Sequence, residues 1–246
     1  MEVVLTIAGS DSSAGAGIQQ DLKTITAHGC YGATVITSLT SQNTLGVQAS
    51  LAVPVGVVAS QINAVLSDLE PAAIKIGMIP DKEVAEAIVD ELKPYLQQHT
   101  VPVVYDPVMV STSGYCLMHS DAIQYVTTHL FPLCTLITPN LPEAEQLGDT
   151  LAPYAYLLKG GHAEGGVMTD VLHLPDGTKI AFSSERITTR NLHGTGCTLS
   201  SAIASRLALG CDIPDAVSLA KTFVTAAIRR SVDINIGGGN GPILVD

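Results

Sequence analysis

Val3-Val4-Leu5-Thr6-Ile7-Ala8-Gly9-Ser10-Asp11-Ser12-Ser13-Ala14-Gly15-Ala16-Gly17-Ile18-Gln19-Gln20-Asp21-Leu22, read on to position 39, decides the fold. Residues 3–8 are a short apolar, β-branched run of the kind that fills a buried strand. A glycine-rich turn follows. Residues 18–28 then put Ile18, Leu22 and Ile25 on one helical face before Gly29 ends the helix. A second β-branched run at 33–39 completes a strand–helix–strand unit, and strands at 73–76, 101–105, 135–137 and 155–158 repeat the alternation. One further helix follows Pro54, with Val58, Ile62, Val65, Leu66 and Leu69 as its apolar stripe; another starts near Asp81 and carries Val84, Ile88, Leu92 and Leu96. Pro175-Asp176-Gly177-Thr178 marks a hairpin, and helices at 197–209 and 213–232 close the chain. The pattern predicts an α/β fold with a mostly parallel sheet covered on both faces.

No linker, repeat or low-complexity tract interrupts the 246 residues, so one domain over 1–246 is expected. A 46% hydrophobic fraction excludes disorder, yet no apolar run approaches the ~18 residues of a spanning helix. Met1-Glu2 leads directly into the first strand, so no secretion signal is expected. Twelve Lys+Arg against 23 Asp+Glu give a net charge of −11, which argues against a nucleic-acid partner. Cys30, Cys116, Cys134, Cys197 and Cys211 are odd in number and none forms a CxxC pair. A disulfide framework is therefore not expected, and a reducing cytoplasm is the simplest compartment.

The glycine clusters follow strands, where open α/β sheets place ligands. Gly15-Ala16-Gly17-Ile18-Gln19-Gln20 lacks the third glycine of a dinucleotide fingerprint, and no GxxxxGK[ST] occurs. His193-Gly194-Thr195-Gly196-Cys197-Thr198 opens an apolar helix, so its N–H groups can form an anion hole for a phosphoryl group. At that helix start Cys197 is expected to have a lowered thiol pKa, the alternative being a small packing residue. Asn140-Leu141-Pro142-Glu143 offers an amide and a carboxylate for hydrated Mg2+ and phosphate, or else an ordinary helix cap. Lys159, before Gly160-Gly161-His162, and Asp106 end neighbouring strands and add a cation and a carboxylate. His119, His162 and His193 carry no assignment, the last being as suited to bracing its loop as to touching phosphate.

These stretches, with Gln42-Asn43-Thr44, Lys75-Ile76-Gly77-Met78, Asp106-Pro107-Val108-Met109, Thr138-Pro139-Asn140 and the tail Gly237-Gly238-Gly239-Asn240-Gly241-Pro242, resemble the hydroxymethylpyrimidine/phosphomethylpyrimidine kinases of thiamine biosynthesis. The resemblance implies a ribokinase-like three-layer sandwich, usually a homodimer, using ATP with Mg2+ on a small pyrimidine. Asp21 and Gln42 would bind the pyrimidine, with Gly9, Met78 and Val108 around it. Asn140 and Lys159 would serve the nucleotide, and Glu143 and Asp106 the metal. Gly194, Thr195 and Gly196 would be the anion hole, and Cys197 would take the proton from the attacking hydroxymethyl group.

Two stretches depart from the family. Ser111-Thr112-Ser113-Gly114 lacks a lysine that many relatives carry there. Only 15 residues separate Glu143 from Lys159, barely a crossover, and Gly148-Asp149-Thr150 suits a helix interior poorly. A segment missing from the sequence is the favoured expectation, a trimmed crossover the other. Competing readings are a pyridoxal kinase of the same superfamily, a catalytically silent ligand-binding relative and, against the failed fingerprint, a Rossmann dehydrogenase.

Overall fold

The structure, a computed structural model, describes residues 1–111, 114–160 and 166–245. In chain order the principal elements are β1 (Val3–Asp11), α1 (Gly17–Ala27), β2 (Tyr31–Asn43), β3 (Gly46–Ala52), α2 (Val55–Leu66), β4 (Ala73–Ile76), α3 (Lys82–Gln98), β5 (Val103–Tyr105), α4 (Ser120–Tyr125), β6 (Leu136–Ile137), α5 (Leu141–Leu147), β7 (Tyr156–Leu158), β8 (Val167–His173), β9 (Lys179–Glu185), α6 (Thr195–Ala208) and α7 (Ile213–Arg230). They build one sheet in the order β3-β2-β1-β4-β5-β6-β7-β8-β9. The strands from β2 to β7 run parallel, and the antiparallel β3 and β8–β9 hairpins extend the two edges.

Strand alternation sorts the core into two layers. Leu5, Ile7, Ile74, Ile76 and Tyr105 point to the face covered by α2, α3, α4 and α5. Val4, Val104, Leu136 and Leu157 point to the face covered by α1, α6 and α7. This is the expected three-layer sandwich. Its first two helices and its hairpin fall where the sequence puts them, with Gly177 at φ +88° in the hairpin turn. Strand β3 was not foreseen, because its residues are half exposed and carry no apolar run. Among the described residues no helix is long and apolar enough to cross a membrane.

After Glu143 the chain makes a trimmed crossover. Helix α5 stops at Gly148, which takes φ +53°, a 3-10 turn covers Gly148–Leu151, and β7 then joins β6 in parallel through Ile137 and Tyr156. The crossover is short but continuous, and Gly148-Asp149-Thr150 is the turn that makes it so.

Candidate active site

Chain order reverses between β1 and β4, so the C-terminal ends of these neighbours splay apart and leave a crevice. A cavity of about 700 Å³ opens there, within the range of small-ligand sites. Gly9, Gln42, Met78 and Val108 line one end. Asn140, Glu143, Lys159, Asp106 and the Gly194–Cys197 turn stand in the middle, and Met168, Val224 and Ile228 close the other end.

The floor is made by two helix N-termini lying side by side. Gln20 Nε2 donates to Thr198 Oγ1 at 3.0 Å and Ser201 Oγ donates to Asp21 Oδ1 at 2.7 Å, joining α1 to α6 in register. One turn earlier the Gly17 N–H reaches the Cys197 sulfur. Gly194 has φ +85°, and a Cβ there would collide with the Gly15 carbonyl, so only glycine lets the two loops touch. The Gly17 N–H is taken by the Cys197 sulfur and the Thr195 N–H by the Leu192 carbonyl, but the two helix ends together leave the cavity wall at Gly17 and Gly194–Cys197 positively polarised, a hole suited to an anion.

Cys197 lines this hole, but its expected low pKa is corrected. Burial pushes the thiol up to about 11; Asp21 and Asp106 add to the rise, and Lys75 with the Gly17 amide offsets only part of it. The helix-end field is real, yet desolvation outweighs it.

Asn140 and Glu143 form a reciprocal cap on α5. The Asn140 side chain accepts the Glu143 N–H at 2.9 Å, and Glu143 Oε2 accepts the Asn140 N–H at 2.8 Å. Capping and ligand binding are not exclusive here, since both residues also line the cavity. Lys159 Nζ bonds Asp106 Oδ1 at 2.7 Å and lies 4.0 Å from Glu143 Oε2. Burial raises Glu143 to about 7, against the pull of Lys159 and with the push of Asp106. Asp106 moves the other way: burial opposes ionisation, but Lys159 and Lys75 together hold its carboxyl below the usual range. Thus Lys159 is a paired cation, and Asp106 has one oxygen committed to it and to Thr138.

Asp21 departs from expectation. It is fully buried and does not line the cavity; it grips Lys75 Nζ at 2.8 and 2.9 Å and accepts from Thr6 Oγ1 at 2.6 Å. In the structure Asp21 thus stands behind Lys75, which is itself buried and lines the cavity. Lys75 went unassigned in the sequence, although a lysine inside the buried strand Ala73–Ile76 is itself a signal. His193 proves to be both brace and lining: its Nε2 lies 2.8 Å from Asp11 Oδ2 and 3.2 Å from Gln42 Nε2. Burial resists ionisation of Asp11, but the His193 and Ser13 hydrogen bonds prevail and hold it at about 2. Gly161, His162, Thr112 and Ser113 lie outside the described residues.

A parallel α/β sandwich with a crevice at its switch point and paired helix N-termini in the floor defines the ribokinase-like class of phosphotransferase. The family described as Phosphomethylpyrimidine kinase matches residues 11–244, and the chain belongs to it. It is 44% identical to the hydroxymethylpyrimidine/phosphomethylpyrimidine kinase of Rhizobium meliloti (strain 1021), covering 98% of this chain and 96% of the relative. That alignment runs over 259 positions, more than the 246 residues present here, so the relative carries positions this chain lacks. Among solved structures, the phosphomethylpyrimidine kinase of Clostridium difficile 630 is 41% identical with a TM-score of 0.76, over 93% of this chain and 100% of that one. The pyridoxal kinase of Staphylococcus aureus, solved with ADP, is 29% identical with a TM-score of 0.87, over 99% and 93%.

Proposed function

We propose that the chain transfers the γ-phosphoryl group of ATP to 4-amino-5-hydroxymethyl-2-methylpyrimidine, and again to the resulting monophosphate, in thiamine biosynthesis, acting as one domain over residues 1–246. The observation that carries this is the pair of helix N-termini beside Cys197, on the wall of a cavity that runs from Gln42 and Met78 to Val224 and Ile228. Gln42 supplies the polar edge for the ring, with Gly9, Met78 and Val108 packing its faces. Gly194, Thr195 and Gly196 hold the transferring group, on which negative charge spreads. In the first transfer the hydroxymethyl oxygen forms a bond to the γ-phosphorus as the β–γ bridging bond breaks, ADP leaves, and the hydroxyl proton passes to the thiolate form of Cys197; in the second a phosphate oxygen of the monophosphate attacks in its place. Asn140 and Lys159 orient the nucleotide.

Glu143 and Asp106 fit a Mg2+ ion brought with ATP. Among the described residues no three His, Cys, Asp or Glu side chains form a cage, and Mg2+ characteristically takes one or two carboxylates plus phosphate oxygens. When bound, the ion neutralises phosphate charge. A carboxyl raised to about 7 ionises only as pH rises through that value, so phosphoryl transfer should fall away below it. Added Mg2+, favouring the ionised form, should move that acid limb to lower pH; a limb that stays fixed across a Mg2+ titration would remove Glu143 from metal binding.

Substrate choice is tested by supplying ATP and Mg2+ with the hydroxymethylpyrimidine, its monophosphate, pyridoxal or a pentose. The highest kcat/KM is expected with the pyrimidines; preference for pyridoxal would move the chain to the other vitamin kinases, and no turnover at all would sink the kinase reading. A homodimer fits Leu39 and Leu51, which pair across β2 and β3 yet are 47% and 66% exposed. Sedimentation of a Leu39→Glu/Leu51→Glu variant as monomer beside a dimeric parent is the expected outcome, and a monomeric parent would end the idea. The five free cysteines suit a reducing cytoplasm.

A further inference from the structure

Three lysines on the cavity wall are each paired with a buried aspartate, in a chain with only 12 Lys+Arg: Lys75–Asp21 at 2.8 Å, Lys159–Asp106 at 2.7 Å and Lys221–Asp170 at 2.6 Å. The first two flank the transfer position. The third stands at the far end, beside Met168, Val224 and Ile228, and has no part in the chemistry above. Buried ion pairs are a weak source of stability, because desolvation consumes most of the attraction. What this pair holds is therefore informative.

Asp170 Oδ2 accepts from Lys221 on α7, while Oδ1 accepts the Gly160 N–H at 2.8 Å. At Gly160 the ends of β7 and β8 press together so closely that a Cβ would collide with the Thr169 carbonyl. The preceding residue is fixed from the other side, since the Lys159 N–H donates to the Pro139 carbonyl at 2.9 Å. The Lys159–Gly160 peptide is thus clamped between the α5 loop and Asp170. Lys159 in turn lies against Asp106 and within 4.0 Å of Glu143, where phosphate oxygens and their cation would sit.

We propose that Asp170, oriented by Lys221, is a positioning residue for the nucleotide: it fixes the Lys159–Gly160 peptide, and so Lys159, for the phosphates. This rests on the phosphotransfer reading above. Lys221 acts through Asp170 rather than by touching ATP.

The test compares two double variants that both remove the ion pair and leave no stranded charge. Asp170→Asn/Lys221→Met keeps an acceptor for the Gly160 N–H, whereas Asp170→Ala/Lys221→Met does not. Calorimetry would measure affinity for the imido analogue of ATP with Mg2+, and separately for the hydroxymethylpyrimidine. The Asn variant should bind the nucleotide close to wild type and the Ala variant about tenfold more weakly, the size of one misplaced charge-assisted contact. Pyrimidine affinity should be the same in all three, a split that general destabilisation would not produce. Equal nucleotide affinity in the two variants overturns the proposal: if both match wild type the pair only packs, and if both are weak Lys221 meets the nucleotide itself. A wild-type protein that binds the pyrimidine but no nucleotide would instead overturn the phosphotransfer reading.

Discussion

Cys197→Ala should lower kcat by about 10²–10⁴, the usual contribution of a positioned general base, while leaving KM for the pyrimidine nearly unchanged. The thiol gives this prediction a signature that packing would not. With burial pushing it up to about 11, only a small fraction is thiolate at neutral pH, and that fraction grows with every step upward in pH. The wild-type kcat should therefore climb through the alkaline range toward the thiol's pKa, and the climb should be absent from Cys197→Ala. Stopped-flow or coupled-assay profiles of both proteins over the same pH range decide it. Parallel profiles, or an unchanged kcat, would strip Cys197 of the base role and leave it as the residue that closes α6 against the Gly17 amide.

How much of this was legible in the sequence depended on the range of the interactions. Strand and helix placement is local: alternation, the start at Pro54 and the glycines Gly29 and Gly210 just past helix ends place most elements within a few residues. Gly194-Thr195-Gly196 was legible because a glycine pair before an apolar helix has a consequence confined to that turn. The edge strand Gly46–Ala52 was not, since an exposed strand needs no apolar pattern and owes its existence to pairing with β2. The pKa of Cys197 failed for a different reason. The favourable helix end is visible in four residues, but the opposing desolvation and the Asp21 and Asp106 charges arrive from α1 and β5. Asp21 was placed in the site by resemblance and is near it, yet its partners Thr6, Lys75 and Ser201 come from three elements spread over the chain.

Fold likeness does not choose the substrate. The Staphylococcus aureus pyridoxal kinase superposes at a TM-score of 0.87, above the 0.76 of the Clostridium difficile phosphomethylpyrimidine kinase, although its identity is lower at 29% against 41%. A shared scaffold accounts for the first number. On the reading proposed above, the choice of ring falls to side chains such as Gln42 and Met78, which backbone superposition does not weigh.

Lys75→Met should be the most damaging substitution for stability, at about 3–5 kcal/mol, because it strands the Asp21 carboxylate in the core with only the Thr6 and Ser201 hydroxyls. For a chain of this length that is a fall in Tm of roughly 10 °C or more. Burial pulls the Lys75 pKa down, but Asp21, Cys197 and Asp106 more than offset it, and the net direction is upward. A lysine raised in the folded state contributes stability that is fully present below its ordinary pKa and drains only as pH climbs past it. The loss in Lys75→Met should therefore be constant through neutral pH. Asp21→Asn/Lys75→Met removes the buried charge, the amide oxygen accepting from one hydroxyl and the amide NH2 donating to the other, and most of the lost stability should return. Its kcat should not return, because the cation that draws the Cys197 thiol downward has gone. Denaturant melts and turnover on the same two variants separate these effects. A double variant restored in both stability and kcat would reduce Lys75 to neutralising Asp21, and a Lys75→Met variant as stable as the parent would remove even that.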